Sequence, residues 1–165
     1  MPTPVTDPGF ADPAAALAHF ERRLLLETDC DDVHESLKTG ADFVLLDVRG
    51  PKAFANGHVP GAINIPHRTM TAERMAQYGK DTPFVVYCAG PHCNGANKGA
   101  IRLARLGYRV KEMIGGITGW RDEDFALEQG ARGTRKPPER LHIFVTTVCL
   151  VRKTRTQDCT PAHRE

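Results

Sequence analysis

Two short, nearly continuous apolar runs, residues 43–47 and 84–87, limit the possible folds more than any other feature of this chain. Runs of this length that are apolar at successive positions are typical of strands covered on both faces, as in a parallel sheet. Helical patterns lie between and after them, at residues 71–78 and 96–106. Strands that alternate with helices predict an α/β domain built on a parallel sheet.

The remaining elements are predicted from capping residues and apolar spacing. Cys30, Val33 and Leu37 share one face of a predicted helix, so Cys30 is expected in the core. The other predicted elements are a helix from Asp12-Pro13 to Arg22, a strand at 24–26, a start for the Cys30 helix at a Thr28–Asp31 capping pair with an end at Gly40, a helix at 51–55, strands at 62–65 and 110–113, and a last helix from Gly115-Gly116 through Trp120.

The chain is expected to divide into three parts. Residues 1–19 are interpreted as an N-terminal helical extension, residues 20–129 as the α/β domain, and residues 130–165 as a basic C-terminal tail. Residues 1–130 hold 14 Lys+Arg and 17 Asp+Glu, whereas the tail holds 8 and 3. The β-branched run at 143–151 predicts either an extra edge strand or a poorly ordered end. A solvated tail is favoured over nucleic-acid binding, so no nucleic-acid partner is expected.

Composition and termini favour a soluble domain in the cytoplasm. Residues 1–10 lack the basic and apolar regions of a secretory signal. The longest apolar stretch, residues 141–151, is too short to span a bilayer, so no membrane partner is expected. Five cysteines form an odd set without a disulfide-framework spacing, which favours thiol chemistry over structural cross-links. No cofactor is expected.

Cys88 is the candidate nucleophile because it follows the apolar run 84–87 directly. Open α/β sheets bind ligands at the carboxyl ends of their strands. A loop then leads into a helix whose first amides have no partner within that helix. Such amides would favour the thiolate and lower the cysteine pKa; the alternative is a structural cysteine that ends a core strand. The predicted anion-binding loop comprises Ala89, Gly90, Pro91, His92, Asn94, Gly95 and Ala96.

Several ordered motifs together resemble the rhodanese domain over about residues 20–129. They are the segment Leu46-Asp47-Val48-Arg49, Phe54, the segment from Gly57-His58 to Pro66, Val86-Tyr87-Cys88 with its loop and helix, Leu106-Gly107-Tyr108, Gly115-Gly116 and Trp120. The resemblance implies a parallel five-stranded sheet with helices on both faces.

The same resemblance implies a function for Cys88. This cysteine would accept a sulfane sulfur as a persulfide from a small donor such as thiosulfate, and would pass it to a thiol or cyanide. Asp47, Arg49, His58 and Trp120 would be structural positions rather than catalytic ones.

The sequence departs from the rhodanese pattern five residues after Cys88. Many rhodaneses carry an arginine there that holds an anionic donor, but this chain has Cys93, and no Lys or Arg occurs before Lys98. Efficient thiosulfate turnover is therefore not expected. Cys93 is interpreted as a resolving thiol, a second nucleophile or a small loop residue. A metal site on Cys88, His92 and Cys93 is not expected, because a second pair of ligands is missing.

Three functions remain open from the sequence. The first is a persulfide-forming sulfurtransferase, whose sulfur-carrier partner would dock on the basic stripe of Lys98, Arg102 and Arg105 unless that stripe is only a solvated face. The second is a thiol redox or oxyanion-reducing enzyme that uses Cys88 and Cys93, although the missing loop arginine disfavours a phosphatase. The third is a non-catalytic rhodanese-like regulatory binding module.

Overall fold

One sheet of five parallel strands forms the centre of the computed structural model, which describes residues 2–130. The strands are β1 (Glu27–Thr28), β2 (Val44–Asp47), β3 (Ile63–Asn64), β4 (Pro83–Tyr87) and β5 (Arg109–Met113). Their order across the sheet is β1-β5-β4-β2-β3, and every pairing is parallel. The predicted α/β class and the five-stranded sheet are therefore confirmed.

Residues 2–130 also form six α-helices, of which the first precedes β1, the last follows β5 and the other four lie between strands. They are α1 (Pro13–Leu26), α2 (Cys30–Thr39), α3 (Pro51–Ala55), α4 (Ala72–Met75), α5 (Gly95–Arg105) and α6 (Gly116–Asp122), and a short 3-10 helix spans His67–Thr69. The carboxylate of Asp12 accepts the amides of Ala14 and Ala15 at the start of α1. Gly40 ends α2 in the left-handed conformation, with φ at 96°, which a residue with a side chain rarely adopts.

The core lies on both faces of the sheet because successive strand residues point in opposite directions. Leu46 and Val86 pack on one face with Leu103 of α5 and Met75 of α4. On the other face, Leu45, Val85 and Tyr87 pack with Val33 of α2, Phe54 of α3, and Ile117 and Trp120 of α6. Cys30 belongs to this second cluster, as predicted. Helices therefore cover both faces.

The first strand was predicted wrongly at residues 24–26. Those three leucines form the last turn of α1, and β1 consists of the two residues that follow. Leucine is a good helix former, so the alanine-rich helix continues through these positions. Leu24 and Leu25 are 71% and 73% exposed, and the Lys111 ammonium donates to the Leu24 carbonyl. α1 also runs across the boundary predicted at residue 19.

The predicted capping pair at the start of α2 is also wrong by one residue. Asp29 is the cap, and its carboxylate accepts a hydrogen bond from the amide of Asp32.

The run predicted as a strand at 143–151 lies outside the described residues. Within residues 2–130, none of the helices combines the length and the hydropathy that a membrane span needs.

Candidate active site at the carboxyl end of β4

Cys88 follows the last residue of β4, which lies in the middle of the sheet between β5 and β2. The residue is buried, with 6% of its surface exposed. The chain then turns back through residues 89–94 and enters α5 at Gly95. The strand thus places the sulfur at the sheet edge where α/β domains bind ligands.

Backbone bonds from the start of α6 hold the segment that carries Cys88. The amide of Ile117 donates to the Cys88 carbonyl at 3.2 Å, and the amide and hydroxyl of Thr118 both donate to the Ala89 carbonyl at 3.0 Å. Gly116 has φ at +56°, and a Cβ there would lie 2.5 Å from the Cys88 carbonyl oxygen. The sequence places Gly116 at a helix start and among the rhodanese-like motifs, but it gives no sign of this contact, because the two segments are distant in the chain.

The start of α5 approaches the sulfur closely. A Cβ built on Gly95 would lie 2.6 Å from Sγ of Cys88 and 3.2 Å from Sγ of Cys93. Among residues 2–130, the first three amides of α5, those of Gly95, Ala96 and Asn97, have no hydrogen-bond acceptor. Free amides at a helix start favour an anion. Gly95 therefore allows an anion-stabilising backbone to reach the sulfur.

Cys88 and Cys93 are joined by a disulfide, with 6.3 Å between their Cα atoms. Cys93 is partly exposed, whereas Cys88 is buried. The amide of Cys93 donates to the Gly90 carbonyl, which closes the turn between the two cysteines. Cys88 can act as a nucleophile only after this bond is reduced.

A cleft of about 490 Å³ opens over the cysteine pair. Its walls are the loop residues 90–94 with Cys88 and Asn97 on one side, and residues 112–116 on the other. Ala89, Gly95 and Ala96 of the predicted loop do not line it, and Gly90 packs against Thr118. The two walls bring the end of β5 beside the loop, an arrangement that the sequence alone did not indicate.

Glu112 is a cleft residue that sequence reasoning missed. It is half-buried, and its carboxylate accepts a hydrogen bond from the side-chain amide of Asn97. Burial, and then the nearby Glu27 carboxylate, raise the pKa of Glu112. The lining includes neither Lys nor Arg. The β5 register pairs Glu112 with Val86 of β4, and this pairing places Glu112 near the carboxyl edge of the sheet, where Cys88 lies.

The four predicted structural residues lie outside the cleft lining. Asp47 is fully buried and forms a bidentate ion pair with Arg49, in which guanidinium nitrogens lie 2.6 to 3.1 Å from the carboxylate oxygens. The Arg49 guanidinium also donates to the Gly57 carbonyl. His58 is buried, with Nδ1 3.0 Å from the Phe54 carbonyl oxygen. The indole of Trp120 donates to the Ala126 carbonyl.

The possible metal ligands fall into two groups. Cys88, His92 and Cys93 line the same cleft, but the two sulfurs are bonded to each other and offer no thiolates in this state. On α2, ligand atoms of Asp31, His34 and Glu35 lie within 4.8 Å of one another at the surface.

The predicted basic stripe is joined by a residue from another element. Lys98 and Arg105 are exposed on α5, while Arg102 is half-buried and its guanidinium donates to the Arg68 carbonyl. Burial, and then Arg102, Arg68 and Lys98 in that order, lower the pKa of His67. The positive surface therefore extends from α5 to the 3-10 helix.

Together the parallel sheet, the two helical layers and the cysteine between central strand and helix define an α/β domain of the rhodanese fold. The family model described as the rhodanese-like domain matches residues 29–123. The chain belongs to the rhodanese-like domain family.

Three relatives illustrate this membership. A solved structure of a Bacillus halodurans protein is 36% identical, with a TM-score of 0.70, over 76% of this chain and 92% of that one. A sulfurtransferase of Allochromatium vinosum is 32% identical over 97 residues, which are 57% of this chain and 86% of that protein. An HTH-type transcriptional regulator of Mycobacterium tuberculosis is 37% identical over 95 residues; the match spans 57% of this chain but 41% of the regulator.

Proposed function

We propose that this protein is a rhodanese-type sulfurtransferase that carries sulfur as a persulfide on Cys88. The observation that carries the proposal is the position of this sulfur, at the end of β4 and against the amide-rich start of α5. The similarity to the Allochromatium vinosum sulfurtransferase supports the same reaction class.

The proposed reaction starts from the reduced cysteine. The Cys88 thiolate attacks the sulfane sulfur of a donor, a new S–S bond forms, and the rest of the donor leaves with the electron pair of the broken bond. The free amides of Gly95, Ala96 and Asn97 would stabilise the negative charge of the thiolate and of the persulfide. A thiol or cyanide then takes the outer sulfur and returns Cys88 to the thiolate.

The Cys88–Cys93 disulfide favours a second candidate function, a thiol redox enzyme. In that cycle an oxidant such as a peroxide would convert Cys88 to a sulfenic acid, and Cys93 would displace water from it to form the disulfide. Turnover would then need no sulfur donor.

Intact-mass analysis of the reduced protein tests the proposal. After brief treatment with a sulfane donor, the Cys93→Ser variant should gain the mass of one sulfur atom, and cyanide should remove it as thiocyanate. The Cys88→Ser variant should gain nothing. Sulfur that binds equally well without Cys88, or activity that depends on peroxide alone, would reject persulfide transfer at this residue.

The partner of the transfer is a separate proposal. A sulfur-carrier protein with an acidic surface would fit the exposed Lys98 and Arg105 together with Arg102. Transfer to such a protein should weaken with salt, because exposed charges are screened, and a Lys98→Glu/Arg105→Glu variant should lose it while still transferring sulfur to cyanide.

A further inference from the structure

We infer that Cys93 discharges the Cys88 persulfide internally, releases its outer sulfur as hydrogen sulfide, and leaves the Cys88–Cys93 disulfide. This inference rests on the proposed function. It states that the outer sulfur leaves as sulfide, and that the two electrons for this reduction are finally supplied by a dithiol, instead of the sulfur being passed to a nucleophile. It assigns Cys93 the role of a resolving thiol among the roles that the sequence left open.

The geometry places the second thiol within bonding reach of the first. The disulfide forms with Cα atoms 6.3 Å apart and within a turn closed by the Cys93 amide. Gly95 lies against both sulfurs, and a side chain at this position would enter the space that the two sulfurs occupy. A thiol held this close competes with any acceptor in solution at a high effective concentration.

The step is balanced in atoms and electrons. The Cys93 thiol loses its proton to solvent, and its sulfur attacks Sγ of Cys88. The Sγ–Sγ bond forms, the bond from Cys88 to the outer sulfur breaks, and hydrogensulfide leaves with that electron pair. The outer sulfur is reduced to sulfide and the Cys93 sulfur is oxidised, while the Cys88 sulfur exchanges one S–S bond for another and keeps its oxidation state. A dithiol, such as dithiothreitol or a protein with a reduced cysteine pair, then reopens the disulfide by exchange.

A single turnover without reductant tests the inference. Wild-type protein is reduced, freed from reductant and mixed with one equivalent of a sulfane donor. We expect about one sulfide released per chain, loss of two hydrogen masses, and a peptide map that joins Cys88 to Cys93. The Cys93→Ser variant should keep the added sulfur and release about tenfold less sulfide. With excess cyanide, the variant should form thiocyanate at least as fast as wild type.

The outcomes separate the inference from the proposed function. Wild type that retains the persulfide as long as Cys93→Ser overturns the resolving role but leaves sulfur transfer intact. An added sulfur that maps to Cys93 also overturns it, since Cys93 would then be a second carrier. Failure of both proteins to gain sulfur rejects both ideas. Cys93→Ala, with unchanged circular dichroism, guards against an effect of misfolding.

A different observation, the charge of the cleft, assigns a specificity role to Glu112. We propose that this carboxylate makes the site select sulfur donors of low negative charge, such as persulfides that carry an ammonium group, over dianions such as thiosulfate. Glu112 lines the cleft that opens over Cys88, and the lining contains neither Lys nor Arg to offset it. A hydrogen bond from Asn97 fixes its carboxylate in the wall. A dianion that enters this cleft would be repelled by the Glu112 carboxylate, because like charges repel each other.

Substrate comparison tests the role of Glu112. In Glu112→Gln, kcat/KM for thiosulfate should rise about fivefold, while kcat/KM for cysteamine persulfide should fall or stay level. The gain should shrink at high salt. Glu123→Gln, on the exposed end of α6 and outside the cleft lining, is the matched control. If the ratio of kcat/KM for thiosulfate to kcat/KM for cysteamine persulfide is the same in Glu112→Gln and wild type, the assignment is overturned. The proposed function is tested separately by Cys88→Ser, which should lose all activity with both donors.

Discussion

The amide of Ile117 donates a hydrogen bond to the carbonyl of Cys88, and this bond ties the start of α6 to the residue that ends β4. The neighbouring Gly116 has a left-handed backbone and lies against the same carbonyl. The position of Cys88 therefore depends on a segment that begins 28 residues further along the sequence, at Gly116.

We expect Gly116→Ala to lower both stability and sulfur transfer. A Cβ at this position meets the Cys88 carbonyl at 2.5 Å and also forces an alanine into the left-handed region, which by itself costs about 1–2 kcal/mol. Gly107→Ala is the matched control, because Gly107 has φ at +80° but no neighbour within 4 Å. Urea unfolding and single-turnover transfer should show the larger loss in Gly116→Ala. Equal losses in the two variants would mean that the contact with Cys88 is unimportant.

Gly95→Ala should slow persulfide formation about tenfold or more, because a methyl group would enter the space of the Cys88 sulfur. Stopped-flow measurement of donor consumption by the reduced protein provides the rate. Gly50→Ala serves for comparison, since a Cβ there has open space and ordinary backbone angles. A Gly95→Ala protein that reacts at the wild-type rate would show that the helix start is not involved.

Asp47→Asn should destabilise the fold by about 3 kcal/mol, because the half-buried Arg49 would lose its carboxylate partner. The exposed pair of Arg23 and Glu27 offers a contrast, and Glu27→Gln should leave the unfolding free energy nearly unchanged. Thermal and urea unfolding of the three proteins measure the difference. The residual activity of folded Asp47→Asn should match wild type; a selective loss of turnover would instead give Asp47 a role in the reaction.

Cys30 should resist alkylation at pH 8 while the reduced Cys88 and Cys93 react. Burial first, and then Asp29, raise the pKa of Cys30 from 9.0 to about 11, and its thiol donates to the Ile114 and Gly116 carbonyls. Peptide mapping after timed exposure to iodoacetamide measures each cysteine separately. Rapid labelling of Cys30 in the folded protein would contradict this expectation.

The same thiol predicts a loss of stability at alkaline pH. Below pH 9 the thiol is protonated in both states and the stability is fully present. Between pH 9 and about 11 the unfolded chain releases the proton while the folded protein keeps it, so stability falls as the pH rises. Cys30→Ala should show a shallower decline over this range when unfolding is measured against pH. Identical slopes would remove Cys30 from the cause.

Local sequence signals predicted most of the elements correctly. Asp12 and Gly40 act as helix caps, residues 51–55 form the predicted helix, and the run before Cys88 is the central strand. These features depend on neighbours within a few residues, which the sequence displays directly. The prediction of a strand at residues 24–26 was wrong because three leucines suit either a strand or a helix. The contact of Lys111 with the Leu24 carbonyl, which accompanies the helix, is distant in sequence.

The candidate site could be predicted only in part. Cys88 and its loop follow from the strand, the glycines and the helix start. Glu112, Gly116 and Thr118 do not, because they reach the site through the pairing of β5 beside β4. Their contribution depends on register and on carbonyl contacts across the sheet edge, and neither has a local signature.

The strand that carries Cys88 is central in the sheet, whereas most of the residues that a substrate would contact lie on other segments. Its backbone has hydrogen-bonded neighbours on both sides, whereas the walls of the cleft come from a loop and from the end of an adjacent strand. For the proposed sulfur transfer, exchanging a few wall residues should therefore change which donor is accepted without any change to the strands of the sheet.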